Sequence, residues 1–283
     1  MLLVNTVDQL RAQVHEWKHA GYKVGFVPTM GNLHAGHLAL VDKARQLADR
    51  VIVSIFVNPT QFGPGEDFDR YPRTLQADSD LLIEHATDLL FNPSVETMYG
   101  SDNENIMLKV PADLNDMLCG LSRPGHFDGV ATVVAKLFNQ VQPDLAVFGE
   151  KDYQQLTVIR RLVNDLAFPV EIIAYPTLRE SDGLAMSSRN NYLSAGERAI
   201  AADLHAALTE LIKQVKTEPD LQEPHIKAHR DRLTKAGFKV EYVEIRRQSD
   251  LKLPESGDKF LVALIAAKLG QTRLIDNCLF ELE

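Results

Sequence analysis

Apolar residues follow two alternating patterns through the first part of the chain. Short continuous apolar runs, typical of strands buried on both faces of a parallel sheet, alternate with stretches in which apolar residues recur at helical spacing. The predicted strands are Lys23–Pro28, Val51–Val57, Asp88–Phe91, Asp144–Phe148 and Val170–Ala174. The predicted helices are Gly36–Ala48, Thr74–His85, Phe127–Val141 and Tyr153–Leu166. This order predicts an α/β domain with a doubly wound parallel sheet of the Rossmann-like kind.

The pattern changes after Pro176, where we predict a boundary between a domain of residues 1–176 and a domain of residues 177–283. In the second part, a capping box is predicted at Ser194-Ala195-Gly196-Glu197, and apolar residues keep helical spacing behind it to Val215. A surface loop is predicted at Glu218–Glu223 and a helix at Ile226–Ala236. The predicted strands are Val240–Ile245, Phe260–Ala267 and Arg273–Asp276. We therefore expect a smaller α+β C-terminal domain with an antiparallel sheet.

Composition narrows the class of protein. The chain has 283 residues, of which 45% are hydrophobic and 24% charged, and its longest apolar run, Phe260 to Ala267, is far shorter than a membrane span. Its N-terminus lacks the basic region of a signal peptide, and its two cysteines form no disulfide framework. The net charge of −9 argues against nucleic acid as a partner. We expect a cytoplasmic protein with no membrane partner, which holds any anionic substrate in a local basic pocket.

The segment after the first predicted strand carries two histidines where a helix is predicted to begin. It reads Met30-Gly31-Asn32-Leu33-His34-Ala35-Gly36-His37. The first turn of a helix has unpaired backbone N–H groups and a partial positive charge, so it binds phosphates readily. Two imidazoles three residues apart project from one side of that turn and add donors. The segment thus predicts a triphosphate site, against the alternative of two ordinary exposed histidines.

Other polar segments also follow predicted strands. Gln61, in Asn58-Pro59-Thr60-Gln61-Phe62-Gly63, offers a donor and an acceptor to a small hydroxy acid, and the Gly- and Pro-rich residues 63–73 suit a lid. The alternative is a plain surface loop in which Thr74 caps the next helix. Arg123-Pro124-Gly125-His126 is a further basic turn that suits an anion.

Two later segments supply positive charge and hydroxyl groups. Gly149-Glu150-Lys151-Asp152, with Gln155 behind it, places a lysine where it can reach a phosphate, while Asp152 can hold a metal-bound water or merely cap a helix. Met186-Ser187-Ser188-Arg189 can wrap a triphosphate. Its alternative interpretation is a polar loop before the Ser194 cap.

Together these strings resemble known families. The two histidines followed by a Met-Ser-Ser-Arg loop are similar to the nucleotidylyltransferase superfamily, which includes class I aminoacyl-tRNA synthetases, although Ala185 and Ser188 replace the two lysines of the synthetase loop. The strings VPTMGNLHAGH, SIFVNPTQF, RPGHFDGV, FGEKD and MSSRN, together with the RLIDN tail, resemble the pantothenate synthetase (pantoate–β-alanine ligase) family over nearly the whole chain.

The resemblance implies a homodimeric cytosolic enzyme of coenzyme A synthesis that uses ATP and Mg²⁺. Pantoate would attack the α-phosphate of ATP, and β-alanine would then attack the pantoyl adenylate, so that AMP leaves. The implied ATP-binding residues are Met30, Gly31, Asn32, Leu33, His34, Ala35, Gly36, His37, Gly149, Glu150, Lys151, Asp152, Leu178, Met186, Ser187, Ser188 and Arg189. Gln61 and Gln155 would bind pantoate and β-alanine. His37 would donate a proton, with His34, Lys151 and Arg189 as further catalytic residues, and no residue is assigned to the metal.

Two other function classes remain open from the sequence. A nucleotidyltransferase would stop at a stable nucleotide-linked product, and the product of the reaction distinguishes it from a ligase. A non-catalytic nucleotide- or RNA-binding module is the third class. The acidic charge balance argues against RNA, and the presence of His34, His37, Lys151 and Arg189 argues against an inactive relative.

Overall fold

The computed structural model describes residues 1–101 and 105–283. The chain forms two compact units. The N-terminal unit comprises Met1–Gly149 and Val158–Pro176, and the C-terminal unit comprises Glu150–Thr157 and Thr177–Glu283. The domain boundary expected near residue 176 stays a prediction. Among the described helices, none is long and apolar enough to cross a membrane.

A six-stranded sheet forms the centre of the N-terminal unit. Its strands are β1 (Leu2–Val4), β2 (Val24–Thr29), β3 (Arg50–Ile55), β4 (Leu89–Phe91), β5 (Leu145–Gly149) and β6 (Glu171–Tyr175). The helices up to residue 165 are α1 (Val7–His19), α2 (Ala35–Leu47), α3 (Leu75–Glu84), α4 (Val95–Tyr99), α5 (Ala112–Asn115), α6 (Leu118–Ser122), α7 (His126–Val141) and α8 (Tyr153–Asp165). Every strand and helix predicted in this part is present, with shifted ends.

The sheet is parallel throughout, with the order β1-β4-β3-β2-β5-β6. The predicted α/β architecture is therefore confirmed. Strand order reverses between β2 and β5, and ligands of such folds bind beyond the carboxyl ends of the strands at that point. β2 ends at Thr29, directly before the histidine segment, and β5 ends at Gly149. The histidine segment and Gly149 thus follow or end two adjacent strands, β2 and β5, at their carboxyl ends.

The sequence patterns did not predict β1 and α1. β1 is a three-residue strand at the edge of the sheet, and only Val4 of it is buried. α1 is a largely polar helix that buries only Leu10 and Val14. Because few of their residues enter the core, their apolar periodicity is weak.

The C-terminal unit contains the predicted antiparallel sheet, in the order β7-β8-β9. Its elements are α9 (Ala195–Ala201), α10 (Asp203–Thr217), α11 (Gln222–Lys235), β7 (Lys239–Arg247), β8 (Phe260–Leu269) and β9 (Thr272–Glu281), with 3₁₀ turns at Glu150–Asp152, Ser188–Tyr192 and Pro219–Leu221. The apolar sides of α10 and the sheet form the core, which includes Leu208, Leu211 and Ile265.

Two details of this unit differ from the sequence prediction. The capping box is confirmed, since Ser194 and Glu197 exchange backbone and side-chain hydrogen bonds, but the helix behind it is interrupted at Ala202. The surface loop predicted at Glu218–Glu223 is wrong. Pro219 begins a 3₁₀ turn there and α11 starts at Gln222, because the fixed φ of proline suits the first position of a helical turn.

Candidate active site

The segment between β2 and α2 places both histidines at the start of the helix. His34 is the N-cap residue, and its Nδ1 accepts a hydrogen bond from the Gly36 N–H at 3.1 Å. The His34 N–H in turn donates to Nδ1 of His37 at 3.3 Å, and the two ring centroids lie 4.0 Å apart. Since Nδ1 is an acceptor in each ring, the neutral imidazoles carry their hydrogen on Nε2. The capping interactions thus select the tautomer that donates from Nε2.

The residues before His34 are held by a buried carboxylate that the sequence patterns did not single out. Asp78 on α3 is 2% exposed and accepts from the N–H groups of Asn32 and Leu33 at 2.9 and 2.8 Å. Thr74, the helix cap of the alternative interpretation, occupies the N-cap position of α3 without a capping bond and donates its hydroxyl hydrogen to Asp78 at 3.1 Å. An aspartate on the buried face of a helix, four residues before Leu82, is the signal that points to this role.

Gln61 lies beside the histidine segment and is fixed through its side chain. Its Oε1 accepts from Nδ2 of Asn58 at 3.1 Å, and its Nε2 lies 3.3 Å from Sδ of Met30. Asn58 is 1% exposed and also donates to the Gly129 carbonyl at 3.2 Å. A Cβ on Gly129 would lie 2.4 Å from the carbonyl oxygen of Thr60, so only glycine allows α7 to approach this turn so closely. Met30 and Gln61 are therefore neighbours.

The basic turn at Arg123 is occupied by a carboxylate of the same chain. Arg123 donates from Nε and Nη2 to the two carboxylate oxygens of Glu66, at 2.7 and 2.6 Å. His126 lies against Nη1 of Arg123 and contacts the Gln61 carbonyl with Nδ1 at 2.8 Å. Burial raises the pKa of Glu66, but the hydrogen bonds and charge of Arg123 outweigh it and hold the pKa below its ordinary value. Through these contacts, Arg123 and His126 link the backbone at Gln61 to Glu66 in the segment 63–73.

Within the C-terminal unit, the turn Glu150–Asp152 carries the predicted lysine. The Lys151 side chain is 20% exposed and its Nζ lies 3.7 Å from Oδ2 of Asp152. Nδ2 of Asn277, on β9, donates to the carbonyls of both Glu150 and Lys151 at 2.9 Å. Gln155 follows on the first turn of α8 and is half-buried.

A short hairpin in the same unit carries the remaining predicted residues. The Met186 N–H donates to the Leu178 carbonyl at 3.0 Å, and Arg179 pairs with Ala185. Ser187 then caps the turn Ser188–Tyr192 by accepting from the Arg189 N–H at 3.3 Å. Leu178 and the segment that begins at Met186 thus lie side by side.

The predicted residues divide between the two units. The N-terminal unit contains Met30 to His37, Gln61 and Gly149, and the C-terminal unit contains Glu150, Lys151, Asp152, Gln155, Leu178 and Met186 to Arg189. Residues 1–101 and 105–283 include no group of three or more His, Cys, Asp or Glu side chains arranged to hold a metal ion. The half-exposed carboxylate of Asp152 suits a cation that takes most of its ligands from phosphates and water.

Comparison with known proteins decides the family. A family model described as Pantoate-beta-alanine ligase matches residues 2–279. The chain belongs to the pantoate-beta-alanine ligase family. A pantothenate synthetase of Pseudomonas fluorescens is 53% identical and covers 98% of this chain and 97% of the relative. One of Hydrogenovibrio crunogenus is 48% identical over the full length of both chains.

Solved structures of the pantoate-beta-alanine ligase family share the fold. The pantothenate synthetase of Thermus thermophilus matches with a TM-score of 0.90 and 45% identity, covering 98% of this chain and 99% of that one. A ligase from Francisella tularensis, complexed with beta-gamma ATP and beta-alanine, matches with a TM-score of 0.84 and 36% identity over 99% and 97% of the two chains. The resemblance expected from the sequence is therefore confirmed.

Proposed function

We propose that this protein condenses pantoate with β-alanine to give pantothenate, with pantoyl adenylate as the intermediate and ATP converted to AMP and pyrophosphate. Family membership over residues 2–279 supports the reaction class. The observation that carries the proposal is the His34–His37 pair, capped so that both rings donate from Nε2, at the carboxyl end of β2.

In the first step, a carboxylate oxygen of pantoate attacks the α-phosphorus of ATP and the bond to pyrophosphate breaks. Negative charge builds on the phosphate oxygens, and donors directed at that charge lower the barrier. We assign this task to His34 and His37 at the N-terminus of α2, with His37 as the proton donor. Lys151 and Arg189 neutralise further charge. Removing one such donor typically costs about 100- to 1000-fold in rate.

In the second step, the amino group of β-alanine attacks the acyl carbon of the adenylate. The amide bond forms, the acyl–phosphate bond breaks, and the nitrogen loses a proton as AMP leaves. Gln61 and Gln155 are assigned to pantoate, with Gln61 also near β-alanine. The bonds from Asn58 and to Met30 hold the Gln61 amide in one orientation, which supports a positioning task.

The remaining assignments concern ATP and its cation. We assign ATP binding to Met30, Gly31, Asn32, Leu33, His34, Ala35, Gly36, His37, Gly149, Glu150, Lys151, Asp152, Leu178, Met186, Ser187, Ser188 and Arg189. Mg²⁺, when bound, would offset the charge of the phosphates, and Asp152 would hold a water molecule bound to it. The chain is further proposed to act as a cytoplasmic homodimer, and sedimentation equilibrium that finds only monomers would contradict the dimer.

A product assay tests the reaction. Purified protein is incubated with ATP, Mg²⁺, pantoate and β-alanine, and AMP and pantothenate are quantified by mass spectrometry, with each component omitted in turn. We expect equal amounts of AMP and pantothenate, and neither product when pantoate is omitted. A stable adenylyl conjugate that accumulates without amide formation would contradict the proposal and favour a nucleotidyltransferase.

A further inference from the structure

β9 carries two adjacent buried polar residues, Asp276 and Asn277, each 4% exposed. We propose that both are positioning residues for the adenylation step, because each holds one of the two C-terminal segments assigned to ATP. This inference rests on the proposed function and deepens it: Asn277 fixes the turn that carries Lys151, and Asp276 fixes the hairpin between Leu178 and Met186.

Asn277 acts on the backbone at Lys151. Its amide nitrogen has two hydrogens, and the carbonyls of Glu150 and Lys151 both accept from it at 2.9 Å. Two hydrogen bonds from one side chain to successive carbonyls restrict the orientation of both peptides. The Lys151 side chain therefore starts from a fixed backbone, which limits the positions that its Nζ reaches.

Asp276 acts on the hairpin through Arg179. The two carboxylate oxygens accept from Nη1 and Nη2 of Arg179 at 2.7 and 3.0 Å. Arg179 also donates to the Gly183 carbonyl at 3.1 Å, across the turn of the hairpin, and to the Asn277 carbonyl at 3.2 Å. A bidentate arginine–carboxylate pair has a fixed geometry. The hairpin is thus braced against β9 one residue away from Leu178.

The same unit offers for each residue a control with the same bonding pattern at a less buried position. Nε2 of Gln248 also donates to two carbonyls, those of Leu261 and Phe280, at 2.8 and 3.3 Å. Asp250 also forms a two-oxygen pair with an arginine, Arg247. These groups support sheet and loop backbone that carries no residue assigned to a substrate, so they report the structural cost of losing such bonds.

The experiment compares Asn277→Asp with Gln248→Glu, and Asp276→Asn with Asp250→Asn. In the first pair a carboxylate replaces the donor amide and faces two carbonyl oxygens. The readouts are pantoate-dependent ATP–pyrophosphate exchange, the KM values for ATP and pantoate, and thermal unfolding. Because a displacement of about 1 Å can cost about 100-fold in rate, we expect Asn277→Asp and Asp276→Asn to lower kcat/KM for ATP by about that factor. The KM for pantoate of these two variants should equal that of the parent. Both control variants should have the parental kcat/KM for ATP.

Three results would overturn the inference. Equal activity losses in a variant and its control, in proportion to their loss of thermal stability, would assign a structural role only. If Asn277→Asp does not fold, Asn277→Ser and Asn277→Ala replace it, and a parental kcat/KM for ATP in a folded variant contradicts the inference. A parent without any pantoate-dependent exchange contradicts the proposed function itself, whereas an active parent with unaffected Asn277 and Asp276 variants contradicts this inference alone.

Discussion

The histidine segment of the N-terminal unit and the lysine turn of the C-terminal unit are assigned to the same nucleotide but are built differently. His34 and His37 are three residues apart and are linked by a hydrogen bond from the His34 N–H to the His37 ring. Asp78, on α3, binds the backbone just before them. The backbone at Lys151 depends on Asn277, which is 126 residues away in the sequence. Arg179 depends on Asp276, which is 97 residues away. One region is organised mainly by its own residues and the other by the end of the chain.

The difference shows how a fold can position catalytic groups in two ways. A helix N-terminus supplies its own donors and needs only a cap to fix the side chains. The turn at Lys151 also precedes a helix, α8, but it is held by the Asn277 side chain, which becomes available only when β9 is in place. Substitutions of His34 and His37 should therefore affect mainly local chemistry, while substitutions of Asn277 and Asp276 should affect geometry and stability together.

The largest effect is expected for His37→Ala. Loss of a donor to the developing phosphate charge should lower kcat by about 100- to 1000-fold, while the Kd for ATP changes little. Rapid-quench kinetics and equilibrium ATP binding measure the two quantities. A parental kcat would remove His37 from catalysis.

His37→Gln separates catalysis from capping. Glutamine three residues after the N-cap completes a capping box but lacks the imidazole. We expect His37→Gln to recover the helix stability that His37→Ala loses, without recovering kcat. Recovery of both would mean that His37 acts only as a cap.

Asp276→Asn should have the next largest effect, on stability. Removing one partner of a buried ion pair leaves Arg179 uncompensated and should lower the free energy of unfolding at pH 7 by about 3 kcal/mol. Burial raises the pKa of Asp276, but hydrogen bonds from His205 and Arg179 outweigh it and leave the pKa below its ordinary value. The carboxylate therefore stabilises the fold fully above about pH 4, and this contribution is lost as the pH falls towards the lower folded pKa.

This pH dependence is measured by urea unfolding at pH values from about 3 to about 7, a range that includes the ordinary pKa of an aspartate. The difference between parent and Asp276→Asn should be constant at neutral pH and should shrink below about pH 4. A difference that grows as the pH falls would contradict the sign of the shift.

Asp78→Asn should have a smaller effect in the first region. The amide keeps one acceptor oxygen but loses the charge that binds the Asn32 and Leu33 N–H groups, so the free energy of unfolding should fall by about 2 kcal/mol. Asp80→Asn, an exposed position on the same helix, is the control and should change it by less than about 0.5 kcal/mol. Equal effects at both positions would rule out an anchoring role for Asp78.

The smallest effect concerns Cys278, whose thiol reports on the surroundings of Arg179 and Asp276. Burial and the neighbouring charge of Asp276 raise the pKa of this thiol to about 11. Alkylation by iodoacetamide at about pH 8 should therefore be about 100-fold slower than for an unperturbed thiol. Mass spectrometry measures the rate, and fast labelling in the folded parent would contradict the described surroundings of Cys278.

The sequence predicted most of the fold because buried strands and amphipathic helices leave periodic patterns, which β1 and α1 lack. It also predicted that His34 and His37 lie at the start of a helix, which is confirmed, while their task in catalysis stays a prediction. It did not predict the buried side chains that hold the backbone of the candidate site. Asp78 and Asn277 form hydrogen bonds with backbone groups that are far away in the sequence. Local sequence patterns do not predict which peptide group a buried side chain will contact. The turn at Arg123 was predicted to suit an anion, and the carboxylate that it binds is Glu66 of the same chain.

The most direct test of the two-step reaction is isotope exchange between pyrophosphate and ATP in the absence of β-alanine. If pantoyl adenylate forms first, label from pyrophosphate enters ATP only when Mg²⁺ and pantoate are present, and His37→Ala loses this exchange. No exchange with pantoate, in a protein that still produces pantothenate once β-alanine is added, would contradict the adenylate pathway.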